Sequence, residues 1–63
     1  MPNKHQRNCI AFMTKHPGWH GYASDRTTVE TVCSLVNLSI AEVNEYQQFR
    51  LKSQENASRF LNN

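Results

Sequence analysis

Cysteine is scarce in this 63-residue chain: Cys9 and Cys33 stand far apart and form no CxxC pair. No disulfide framework and no four-ligand zinc set is therefore legible, and both thiols are expected to stay reduced. No stretch approaches the ~18 consecutive apolar residues of a membrane span, and no apolar leader core follows Met1. The reading is a cytoplasmic protein with no membrane partner. Charge of either sign is also thin: seven Lys/Arg against five Asp/Glu give a formal net charge of +2. That balance is compatible with nucleic acid without a polybasic arm. The five carboxylates are scattered rather than paired. A chain this short buries only about 60% of its unfolded surface, which leaves too little protein to wall a deep substrate cleft. An enzyme is not expected, and no cofactor is implied.

Both glycines fall in one stretch, "HPGWHGY", residues 16–22, together with Pro17, two histidines, Trp19 and Tyr22. His16 and His20 have the i, i+4 spacing of a chelating pair. Pro17 and Gly18 break any helix between them, so no metal site is assigned. Pro17 also restricts His16 and ends whatever helix precedes it. Trp19 is expected as a core anchor, with Tyr22 beside it, and His20 at the surface.

Residues 6–15 read as a helix with Cys9, Ile10 and Met13 on its apolar stripe and Phe12 on the flank. Residues 1–5 are assigned to a flexible N-terminus and residues 62–63 to a tail, around one domain at 6–61. A second helix starts near residue 25. Ser24, Asp25 and Thr27 are candidate caps, and Thr27 with Glu30 fits a capping box. Its stripe is Val29, Val32, Cys33 and Val36, with Leu35 beside it, so Cys33 is expected to sit inert in the core. After Leu38 the period changes. Ala41, Val43, Phe49 and Leu51 alternate with polar residues, which favours a β-hairpin turning at "NEYQ". Ser53 then caps a last helix with Ala57, Phe60 and Leu61 inward, the last two also available for a homodimer contact.

This order resembles the winged helix-turn-helix superfamily, in the small form found in phage and prophage proteins. "SLVNLSIAEVNEYQQFRLKSQENASRFL" matches its sequence of apolar lead-in, wing and closing helix, with Ser39 where a glycine is usual before the wing. The resemblance implies a mainly α fold with a small β-hairpin (α+β): helix, short helix, helix, hairpin, helix. The short helix would lie in the connector that follows residue 17. A second register stays open, in which "TVETVCSLVNLSIAEVNEY" is a plain helix-turn-helix and residues 40–50 are helical.

The resemblance further implies double-stranded DNA as partner and a role in transcription regulation. Arg26, Thr27, Thr28, Thr31 and Ser34 would face the major groove from the recognition helix. Asn44, Gln47, Gln48 and Arg50 on the wing would reach phosphate or the minor groove, and Lys52, Lys15, Arg7 and Lys4 would supply backbone contacts. Glu30 on the recognition helix supports the alternative, a protein-interaction module of the same fold.

Overall fold

The computed structural model describes residues 1–22 and 25–62. It is an α+β arrangement: α1 (Lys4–Lys15), β1 (His20–Gly21), α2 (Arg26–Asn37), β2 (Ala41–Val43), β3 (Gln48–Leu51) and α3 (Gln54–Leu61). The three strands form one antiparallel sheet in the order β1-β3-β2.

Each helix starts on a side-chain cap. Asn3 and Gln6 form a reciprocal capping box, so α1 begins at Lys4, two residues before the boundary read from the sequence, and residues 4 and 5 are helical. At the other end the backbone leaves helical geometry at His16, and Gly18 adopts φ +110°, a conformation that suits glycine. Asp25 caps α2 by accepting from the Thr28 amide, and Ser53 caps α3 by accepting from Asn56. The expected Thr27–Glu30 box does not form. Thr27 lies inside the first turn, and Glu30 reaches back to Arg26 instead. Ser24, the third candidate cap, lies outside the described residues.

The core is assembled from Ile10 and Met13 of α1, Val32 and Leu35 of α2, Ile40, Ala41, Phe49 and Ala57. Cys33 is exposed, contrary to expectation. The buried face of α2 is rotated toward Leu35, because α1 covers the Thr31 and Ser34 side and Gln6 donates to Ser34 across that contact. Phe60 and Leu61 pack against this core within the chain.

The α2–β2 junction is a Schellman motif. The Ile40 amide donates to the Leu35 carbonyl and the Ser39 amide to Val36, with Ser39 at φ +60°. Leu35 and Ile40, the apolar pair that this motif brings together, are both fully buried. Ile40 also accepts from Lys52 and Ser53, and Asn56 donates to the Ser39 carbonyl, which ties α3 to the same corner.

Residues 41–51 form the hairpin, so the helical register for 40–50 is excluded. Ala41 faces Leu51, Glu42 faces Arg50 and Val43 faces Phe49. The turn is organised by the Asn44 side chain, whose Oδ1 accepts from the backbone amides of Tyr46 and Gln48 while its Nδ2 donates to the Gln48 side chain. Gln47 completes the turn at φ +58°. A side chain in the left-handed region is strained, and glycine is not. Ser39→Gly and Gln47→Gly are each expected to raise stability by about 0.5–1 kcal/mol, visible as a higher urea midpoint. A lower midpoint for both would show that the side chains offset the backbone strain.

The connector differs most from expectation. Where a short helix was expected, residues 20–21 form β1, paired with β3 through His20↔Phe49 and Gly21↔Gln48. Extending that register places Trp19 opposite Arg50 on the solvent face of the sheet. There its ring, 37% exposed, lies under the Arg50 guanidinium at 4.3 Å. Trp19 is not a core anchor. The core position falls to His20, half-buried against Phe12 and Phe49, and to Tyr22, edge-on to Phe49.

Candidate nucleic-acid interface

The five residues expected to read DNA do not share one free face of α2. The helix presents Arg26, Glu30, Cys33 and Asn37 outward. The Arg26 side chain is 93% exposed, and its Nε is bonded to Glu30 at 2.8 Å, so the charge at the start of the helix is locally cancelled. Thr28 donates its hydroxyl to Asp25, Thr31 to the Thr27 carbonyl and Ser34 to the Thr31 carbonyl. A hydroxyl has one proton to give. Once it is given to an internal partner, the oxygen offers only lone pairs, and those repel phosphate. Of the five, Thr27 alone makes no side-chain hydrogen bond among the described residues.

The Thr28 hydroxyl and amide hold the Asp25 carboxyl below the usual carboxylate range, so this cap is intact at neutral pH. Burial pushes the Cys9 thiol up, away from the thiolate that nucleophilic chemistry requires.

The wing residues are similarly engaged. Asn44 and Gln48 are bonded to each other, and Asn44 also holds the turn. Arg50 donates to Glu42 at 2.7 Å while stacking on Trp19, and Gln47 occupies the strained turn position. His16 and His20 do not converge on a common point as ligands. The His20 Nε2 donates to the His16 carbonyl at the end of α1. Among the described residues no group of three His, Cys, Asp or Glu side chains is placed to hold a metal ion.

Three cations are thus held in ion pairs: Arg26 with Glu30, Arg50 with Glu42, and Arg59 with Glu55. The other four, Lys4, Arg7, Lys15 and Lys52, make no ion pair among the described residues and are exposed. Three of these lie on α1. The sequence carried a signal for this that the helix-by-helix reading passes over: the first 24 residues contain three Lys/Arg and no Asp or Glu. The remaining 39 contain four Lys/Arg and all five acids. Charge asymmetry along the chain, rather than net charge, marks the surface.

α1 and α2 pack side by side with an open furrow between them. Its two adjoining hollows share His5, Thr27 and Thr31 in their lining, with Glu30 and Ser34 at one end and Asn8 and Cys9 at the other. The acidic end of this furrow lies on α2, and the uncompensated positive charge lies on the outer side of α1. Among the described residues no helix is long and apolar enough to cross a membrane. Comparison with protein-family models, with curated proteins and with solved structures returns no match.

Proposed function

We propose that this protein binds duplex DNA, as a small regulator of the phage type built on a reduced winged helix-turn-helix plan. In this reading α2 holds the place in the chain order that the recognition helix has in that plan, with the β2–β3 hairpin in the place of the wing and α3 in that of the closing helix. The short helix between the first two helices gives way to the connector that carries β1. The observation that supports the reading most is the division of the cations. Lys4, Arg7, Lys15 and Lys52 are exposed and make no ion pair among the described residues, so they are available to displace condensed counterions from phosphate. A protein-interaction module is the second reading, favoured by the charge-cancelled outer face of α2 and by Tyr46 standing exposed on the hairpin tip.

The test is fluorescence anisotropy of a labelled mixed-sequence duplex titrated with the protein. Saturable binding is expected at ~50 mM salt, where phosphate contacts are strong. A flat titration at that salt removes the duplex-binding reading and leaves the interaction module.

A further inference from the structure

Resting on the duplex-binding reading, we infer that α1, rather than α2, is the helix laid into the major groove. Lys4, Asn8, Ala11 and Lys15 follow one another at i, i+4, i+7 and i+11, which places them on one stripe of a helix with 3.6 residues per turn. All four are exposed, and Ile10 and Met13 on the opposite side are buried in the core. The stripe has a cation at each end and two short side chains in the middle. Lys4 and Lys15 are about 16 Å apart along the axis at ~1.5 Å per residue. Their flexible stems therefore reach phosphates on both rims of a groove about 12 Å wide.

The middle of the stripe has the chemistry of base edges. The Asn8 amide makes no hydrogen bond among the described residues, so both its donor and its acceptor are free for the N6/N7 edge of adenine. Ala11 is small enough to let the helix approach closely, and its methyl group matches the thymine methyl. Arg7, one position off the stripe, faces the flank, where a phosphate or guanine lies. No carboxylate interrupts α1 anywhere.

The same inventory disqualifies α2. Entering the groove with its outer face would carry the Glu30 carboxylate against phosphate and base acceptors, tied to the only cation of that helix. Three of its four exposed or half-exposed hydroxyls already donate their hydrogen bond to a partner within the chain. Desolvating a charged pair and several acceptor-only oxygens without new partners is unfavourable. The capping box at Asn3 closes the first turn of α1, so Lys4 is presented from a formed helix rather than from an irregular end.

Ala11→Glu is the decisive variant, because it keeps a good helix former at an exposed position and puts a negative charge in the centre of the stripe. Its affinity for a short mixed-sequence duplex is expected to fall on the order of a hundredfold, as like charges are brought together at an interface. Lys15→Gln is expected to reduce the slope of log affinity against log salt by about 1. Far-UV circular dichroism verifies that both variants fold. Amide chemical shifts on titration with duplex are expected to move at residues 4, 8, 11 and 15 more than at 26, 27 and 30. If the wild-type protein binds duplex and Ala11→Glu binds equally well, with shifts centred on 26–30, the inference is overturned and the duplex-binding reading stands. If the wild-type protein binds no duplex, both fall together.

Discussion

Leu35→Ala is expected to remove a large share of the chain's stability and to lower its urea midpoint steeply. Leu35 is 0% exposed, sits midway along α2 and closes the Schellman contact with Ile40 that launches the hairpin. Truncating a buried leucine costs about 2–5 kcal/mol, through lost transfer energy and the cavity left behind. A 63-residue chain at roughly 0.05–0.15 kcal/mol per residue has only about 3–9 kcal/mol of stability in total. The loss is therefore a large share of the whole. Cys33→Ala on the same helix is the control. Its side chain is exposed, and the substitution is expected to stay within about 0.5 kcal/mol of wild type. Urea unfolding followed by circular dichroism separates the two. Equal midpoints for Leu35→Ala and Cys33→Ala would mean that the core is not centred on Leu35.

The contrast between those two residues shows which kind of information the sequence carried. Periodicity placed three helices and the hairpin, because each depends on a local repeat that needs no knowledge of its partner. Ser39 also stood out as a residue where glycine is usual, and its φ of +60° explains why. The rotation of α2 about its own axis was a different matter. Val29, Val32, Cys33 and Val36 make an acceptable stripe, and so do Thr28, Val32 and Leu35. Only the packing of α1 across Thr31 and Ser34, sealed by Gln6, selects the second.

Trp19 and β1 were illegible for a related reason. A two-residue strand has no period of its own, and its existence follows from the free edge of β3 nearly thirty residues later in the chain. Once His20 pairs with Phe49, alternation sends Trp19 to the outer face, whatever its hydrophobicity. The candidate interface was legible in composition but not in motif. The expected DNA contacts followed the resemblance onto α2, while the acid-free N-terminal third of the chain carries the cations on which the proposed α1 interface rests.

The salt dependence of duplex binding is expected to count the unpaired cations rather than all the cations. Each phosphate neutralised contributes about 0.9 to the slope of log affinity against log salt, so the three cations of α1 give about 2.7 and Lys52 raises that to about 3.6. Between ~50 and ~200 mM salt, affinity should fall between about 40-fold and about 150-fold. If all seven Lys/Arg contacted phosphate, the slope would approach about 6.3 and the loss about 6,000-fold. The ion pairs of Arg26, Arg50 and Arg59 are solvent-exposed, and an exposed pair is worth only about 0–1 kcal/mol, so opening one is cheap. Opening does not remove the carboxylate, however. Glu30 and Glu55 stay one helical turn from their arginines, and Glu42 stays directly across the strand pair from Arg50. Each pair therefore brings no net charge to the phosphates and releases no net counterion. Anisotropy titrations at four or five salt concentrations measure the slope directly. A value near 6 would show that the pairs open and their carboxylates turn away from the DNA, and a value near zero would show that binding does not run through phosphate at all.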